Sequence, residues 1–152
     1  MSIETGVYFI QNAGTGTVID LNNGLSADGT QVHGYQKREL SDGLVPAQLW
    51  IVSLVGNDVY TIENTNSRTY LDLSNAANGT HIIGYQGTGE PNQRWSILRN
   101  SADTAYVIQN LATDTFVDLS NGDPANLTPV NGWAGQGVTT PNNNQLWKFI
   151  RV

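Results

Sequence analysis

An all-β domain of about twelve short strands in three equivalent sets is predicted by three observations. One pattern is written three times at a period of roughly fifty residues, within the range that marks stacked or radial repeats. Apolar residues alternate at a period of two, in short runs rich in Val, Ile, Tyr, Phe and Trp. Clusters of Gly, Asn, Asp, Ser and Thr punctuate these runs, and no stretch reads convincingly as a helix. The 152 residues suffice for one core and are too few for three. The copies, at about residues 6–53, 58–98 and 104–150, must therefore share it within one domain spanning residues 1–152. Three sets of hairpins closing one barrel make a β-trefoil.

Each copy divides into about four strands, in the first near residues 7–11, 17–21, 31–35 and 48–52. The opening strand carries Tyr-x-Ile: Tyr8/Ile10, Tyr60/Ile62 and Tyr106/Ile108. The second carries an apolar-Asp-Leu step: Ile19-Asp20-Leu21, Leu71-Asp72-Leu73 and Val117-Asp118-Leu119. The third ends on a Gly-aromatic pair: Gly34-Tyr35, Gly84-Tyr85 and Gly132-Trp133. The fourth opens on Gln-x-Trp: Gln48/Trp50, Gln93/Trp95 and Gln145/Trp147. Alternation pairs these Trp residues with Val52, Ile97 and Phe149 on one face, which assigns them to the core. A buried Gln amide needs partners, so Gln48, Gln93 and Gln145 are expected to tie neighbouring backbone turns together. The segments between copies are short, polar turns. Symmetry is broken most at residues 36–47, 122–129 and 134–143.

Composition narrows the function. A hydrophobic content of 39% against 13% charged residues is that of a folded protein, and no apolar run approaches a membrane span. Seven basic residues in a chain of net charge −6 form no stripe for phosphates, which argues against nucleic acid. Without cysteine there is neither a disulfide framework nor a thiolate metal site. His33 and His81 are too few to suggest a metal, and no cofactor is implied. The polar start, Met-Ser-Ile-Glu-Thr-Gly, lacks the features of a secretion signal, so a cytoplasmic location is expected. Glycosylation patterns at Asn78 and Asn126 carry little weight there.

The remaining repeated residues are polar or aromatic. Asp20, Asp72 and Asp118 alternate with the apolar residues beside them and so point away from the face those bury. They suit either hydrogen bonds from the following turn or a ligand with hydroxyl donors. Tyr35, Tyr85 and Trp133 offer aromatic platforms, and the preceding Gly34, Gly84 and Gly132 would let a ligand approach the backbone. Carboxylate, aromatic ring and amide together fit a pyranose. Its vicinal hydroxyls donate and accept, while its C–H face packs on a ring.

With these residues, three Gln-x-Trp motifs each preceded by an Asp-Leu step and a Gly-aromatic pair, the whole chain resembles the ricin B-type lectins. It is most similar to the small intracellular lectins of mushrooms and other fungi. That resemblance implies sugar contacts from the Asp, from a polar residue two before the aromatic, from the aromatic, and from the Asn before the Gln. The third copy has the full set: Asp118, Asn131, Gly132, Trp133 and Asn144, backed by Gln145. The second keeps Asp72, Gly84, Tyr85 and Asn92 but has Ile83 at the polar position. The first keeps Asp20, His33, Gly34 and Tyr35, with His33 a sugar donor, but has Ala47 in place of Asn. The implied partners are glycans carrying galactose or N-acetylgalactosamine. A homodimer and a defence role against grazing animals are further implications.

Two other functions compete. Glycoside hydrolysis needs two carboxylates some 5–9 Å apart. The three Asp residues lie in separate copies, and none has an obvious second carboxylate. A protease inhibitor needs one specialised loop, for which residues 36–47 or 134–143 qualify, but it would not need Asp, aromatic and amide in several copies. The sequence therefore favours a non-catalytic sugar-binding protein.

Overall fold

The computed structural model describes residues 2–152; Met1 of the polar N-terminal stretch lies outside them. The first copy forms β1 (Gly6–Asn12), β2 (Val18–Leu21), β3 (Thr30–Tyr35) and β4 (Trp50–Gly56). The second forms β5 (Val59–Asn64), β6 (Tyr70–Asp72), β7 (Thr80–His81), β8 (Ile83–Tyr85) and β9 (Trp95–Arg99). The third forms β10 (Tyr106–Asn110), β11 (Phe116–Leu119), β12 (Thr128–Trp133) and β13 (Trp147–Arg151). Among the described residues there are thus thirteen strands, one more than the twelve of three equal sets. The third strand of copy two is divided at Ile82, where it changes neighbours: β7 pairs with β12, and β8 with β3 and β6. Short 3-10 turns precede each Gln-x-Trp, so Gln48, Gln93 and Gln145 sit in turns and the strands begin at the Trp.

Strand pairing derives the threefold architecture. The antiparallel pairs β1–β4, β4–β5, β5–β9, β9–β10, β10–β13 and β13–β1 close a six-stranded barrel. The hairpins β2–β3, β6–β8 and β11–β12 cap one end, one per copy. Closure leaves the barrel no free edge. Its interior holds Trp50, Trp95 and Trp147 together with Ile10, Ile62 and Ile108 of the Tyr-x-Ile motifs, all essentially inaccessible. Each buried indole donates its Nε1–H to the carbonyl preceding an Asp: Trp50 to Ile19 at 3.0 Å, Trp95 to Leu71 at 3.1 Å and Trp147 to Val117 at 3.0 Å.

A second set of bonds was not anticipated from the sequence. Asn12, Asn64 and Asn110 end the first strand of each copy and are buried. Their Oδ1 atoms accept two turn N–H groups each, and their Nδ2 groups donate to the turn before a Gln-x-Trp of the preceding copy in the ring. One residue type thereby shapes its own turn and fixes the neighbouring one.

The Gly-aromatic glycines are explained by packing, which corrects the expectation that they open the backbone to a ligand. A Cβ on Gly34 would lie 2.8 Å from Leu119 Cδ1, one on Gly84 2.9 Å from Leu21 Cδ1, and one on Gly132 2.6 Å from Leu73 Cδ2. The leucine of each Asp-Leu step therefore fills the place of a side chain in the next copy. Gly132→Ala is expected to lower stability by about 1–3 kcal/mol through overpacking. Gly43→Ala, where a Cβ meets nothing within 4 Å, should change it little. Denaturant unfolding of the two variants checks this.

Candidate carbohydrate-binding clefts

The Asp residues are buried in all three copies, and each is first a structural acceptor. Gln48 Nε2 donates to Asp20 Oδ2 at 2.9 Å, Gln93 Nε2 to Asp72 Oδ2 at 2.8 Å and Gln145 Nε2 to Asp118 Oδ2 at 2.9 Å. The same amides donate to the backbone carbonyls of Gln36, Gln86 and Ala134, as expected of a residue tying turns together. The turn following the Asp supplies none of these bonds, contrary to one of the readings above.

The copies differ at the other carboxylate oxygen. In the first, His33 Nε2 lies 2.9 Å from Asp20 Oδ1 across the β2–β3 pair. A carboxylate can only accept, so His33 donates to it. His33 thus lines the first cleft as the group that holds Asp20, and its Nε2–H is not free for a sugar, which corrects its expected role. In the second copy Asn92 Nδ2 donates to Asp72 Oδ1 at 3.0 Å, and Ile83 stands opposite Asp72. In the third, Asn131 stands opposite Asp118, and among the described residues Asp118 Oδ1 has no partner. Burial pushes the Asp118 carboxyl above its ordinary value, and the bond from Gln145 only partly offsets this. The Asn131 Oδ1 and Gln145 Oε1 atoms beside it are also buried without partners.

Two clefts follow from this arrangement. The third-copy cleft, of ≈240 Å³, is lined by Asp118, Ser120, Asn121, Trp133, Asn142 and Asn144. Trp133 is 44% exposed, its indole rising beside Gly79 of the second copy. Asn142 Oδ1 accepts the Asn144 N–H and so shapes the turn that presents Asn144. The first-copy cleft, of ≈280 Å³, brings Asp20, His33 and Tyr35 together with Asn22, Asn23, Arg38, Leu44, Ala47 and Leu127. Arg38 stacks on Tyr35 at 4.9 Å. In the second copy Asn92 and Gln93 both donate to Asp72, and Tyr85 is half-buried.

One wall of each open cleft was missed. Asn23 and Gly24, and Asn121 and Gly122, adopt left-handed backbone with φ between 53° and 61°. This turns the chain up beside the Asp. The second copy has Ser74-Asn75-Ala76 at these positions, and Ala, with a Cβ, disfavours the left-handed region. The Asn-Gly pair was the available signal. Arg38 and Leu44 come from the irregular segment 36–47, whose course no repeat dictates.

The aromatic residues are steadied from the neighbouring copy. Gln36 N–H donates to Asn126, Gln86 N–H to Asp28 and Ala134 N–H to Asn78, each at 2.8 Å, so the two Asn of the glycosylation patterns have structural roles. The residue following each of these is Gly29, Gly79 or Leu127, all with positive φ. Leu127, at φ 75° and 61% exposed, is a strained leucine where the other copies use glycine.

Comparison with known proteins identifies the family of the fold. The family model described as ricin-type beta-trefoil lectin domain-like matches residues 2–85 and 46–133. The Rhizoctonia solani agglutinin is 30% identical and superposes with a TM-score of 0.83, covering 100% of this chain and 99% of its own. The Macrolepiota procera ricin B-like lectin, solved in complex with lactose, is 28% identical with a TM-score of 0.77, covering 100% of this chain and 99% of its own. A curated relative, the exo-beta-1,6-galactobiohydrolase of Bifidobacterium longum subsp. longum, is 28% identical over 97 residues. That match takes in 61% of this chain but spans only 6% of the relative's length.

Leu127→Gly is expected to stabilise the protein by about 1 kcal/mol, because it relieves a side chain held in the left-handed region. A rise in the midpoint of thermal unfolding is the readout.

Proposed function

We propose that this chain, which belongs to the ricin-type β-trefoil lectin family, is a non-catalytic lectin whose principal sugar site is the third-copy cleft. One observation carries the choice. Among the described residues, Asp118 alone of the three equivalent carboxylates has an oxygen without a partner, and it lies in a cleft shared with an exposed indole and the side chain of Asn144. A pyranose set there would donate two hydroxyls to Asp118, exchange hydrogen bonds with Asn144 and rest its C–H face on Trp133. The first cleft is the second site, with Asp20 held by His33 and Tyr35 as platform. The second copy is silent: Ile83 replaces His33 opposite its carboxylate, and Ala76 replaces the glycine whose left-handed turn walls the first cleft.

Galactose and N-acetylgalactosamine are the sugars proposed. The Macrolepiota relative was solved with lactose, and the Bifidobacterium relative acts, by its name, on β-1,6-linked galactobiose units. Asp118 is the single carboxylate among the residues lining its cleft, which supports binding rather than the paired-carboxylate chemistry of hydrolysis. The segment 36–47, a candidate inhibitory loop, is tied down by buried Val45 and by the Gln48 bonds, which favours the lectin over the inhibitor. Single shallow sites bind weakly, so two sites per chain, or a homodimer, would supply avidity. A cysteine-free chain of this kind fits a cytoplasmic protein that defends its producer against grazing animals.

A glycan array probed with wild type, Asp118→Ala and Asp72→Ala tests the assignment. Loss of a charge-assisted hydrogen bond corresponds to a roughly 10- to 100-fold weaker interaction. Asp118→Ala should show that loss on galactosyl glycans, and folded Asp72→Ala should not. No glycan binding by the wild type would remove the lectin reading. Unchanged binding by Asp118→Ala would remove this site.

The raised Asp118 carboxyl adds a pH signature. Hydroxyl donors need the ionised form, so affinity for lactose should fall as pH drops through a pKa above the ordinary carboxylate value. Below that pKa the fall approaches about tenfold per pH unit. Titration calorimetry between about pH 7 and pH 4 measures it.

A further inference from the structure

The unnamed residues of the two core motifs form small satellite cores in two copies and an open cleft in the third. In the first copy the x of Tyr-x-Ile is Phe9 and the x of Gln-x-Trp is Leu49. With Val18, Ile150 and the loop residue Val45 they make one apolar cluster. In the third copy Val107 and Leu146 pack with Phe116, Ala105 and the loop residue Val138 in the same way. In the second copy the two positions are Thr61 and Arg94, and Tyr70 replaces Val18 and Phe116. The covering segment, residues 86–92, is seven residues long against twelve (36–47) and eleven (134–144), and carries no valine.

The result is a cleft of ≈310 Å³ lined by Thr61, Tyr70, Gly87, Gly89, Glu90, Gln93 and Arg94. Asp72, Ile83 and Tyr85 do not line it, although Tyr85 stands opposite Tyr70 across the β6–β8 pair. Gly87 seats on the Tyr70 ring, where a Cβ would meet Cε1 at 2.9 Å, and burial with nearby Glu63 raises the Tyr70 hydroxyl's pKa. A half-buried ring thus forms part of the lining. Among the described residues, the side chains of Arg94 and Glu90 make no hydrogen bond or ion pair, with each other or elsewhere.

We infer that this cleft is an additional binding site for a neutral saccharide residue, outside the Asp-centred positions of the three copies. The lining selects the ligand class. An anion would gain from Arg94 and be opposed by Glu90, and a cation the reverse. A purely apolar group would leave both charges and the Thr61 hydroxyl unserved. A neutral sugar satisfies all of them: its hydroxyls donate to Glu90, accept from Arg94 and exchange with Thr61, and its C–H face lies on Tyr70. The open backbone at Gly89, where a Cβ would meet nothing within 4 Å, adds carbonyl and N–H groups to the rim. The inference is independent of the Asp118 assignment, since no residue is shared between the two clefts.

The test is an amide-shift titration of the ¹⁵N-labelled full chain with the methyl glycosides of galactose, glucose and mannose and with N-acetylglucosamine and N-acetylgalactosamine. At least one should move the Thr61, Gly87 and Gly89 amides saturably. The double variant Thr61→Val with Arg94→Leu rebuilds the packing of the third copy, Val107 and Leu146. It should abolish those shifts, raise thermal stability and leave the response at Trp133 intact. Shifts at Trp133 with none at Gly87 and Gly89 for any of the five sugars would overturn the inference and leave the lectin proposal standing. Persistence of the Gly87 shifts in the double variant would overturn it equally. Saturable shifts at Gly87 that vanish in the double variant, with a mute Trp133, would support this cleft and sink the third-copy site.

Discussion

Everything in this molecule hangs on a two-point attachment between the end of each copy and its Asp strand. A Trp indole reaches the carbonyl just before the Asp, and a Gln amide two residues earlier reaches the carboxylate itself. Both contacts are buried, where an unmade hydrogen bond is costly, so neither residue tolerates replacement lightly. The attachment fixes the hairpin cap on the barrel and the position of the carboxylate in one stroke. Function is then decided by what is left over. A carboxylate has two oxygens, the fold takes one, and the identity of the second oxygen's partner separates the copies. His33 takes it in the first and Asn92 in the second, while Asp118 keeps it.

Much of this was legible in the sequence because the repeat acts as an internal control. Trp50, Trp95 and Trp147 read as core from alternation alone, and the first three strands of the first copy followed to within a residue, while the fourth begins two residues later and ends four later than read. The division of β7 from β8 was not legible, since Ile82 changes partners through contacts distant in sequence. The glycines before the aromatics were read as openings for a ligand because a missing side chain looks the same whether solvent or a leucine fills the space. Only the placement of Leu21, Leu73 and Leu119 tells them apart. The polar site residues were found by type, but their roles were not. Asn92 and Asn144 occupy equivalent positions, and one closes its carboxylate while the other faces a cleft beside a free one.

Residues that varied between copies carried more information than the sequence reading took from them. Ala76 in place of glycine removes a left-handed turn and with it a cleft wall. Leu127 in place of glycine is held at positive φ and lines the first cleft. Strain of that kind is retained where surroundings over-determine it, and here the surroundings are the Asn126 bond to Gln36 and the wall of a cleft. Thr61 and Arg94 occupy the nominally free positions of two motifs, yet those positions are apolar wherever the copy builds its satellite core. A threefold scaffold therefore records departure from symmetry as chemistry, because the copies that conform show what each place requires.

The leucine that enters the next copy's glycine position has a consequence for assembly. Leu21 fits Gly84, Leu73 fits Gly132 and Leu119 fits Gly34, so the contact runs head to tail in one direction and returns to its start after three steps. Every copy carries both the protrusion and the recess, which is the condition for a heterologous interface that closes into a ring. A single copy on its own would have its protrusion bare and its recess empty, and three separate chains of that length would satisfy one another as the fused copies do. The covalent links between copies hold together a ring whose contacts one motif already specifies, and within one chain each third can change on its own.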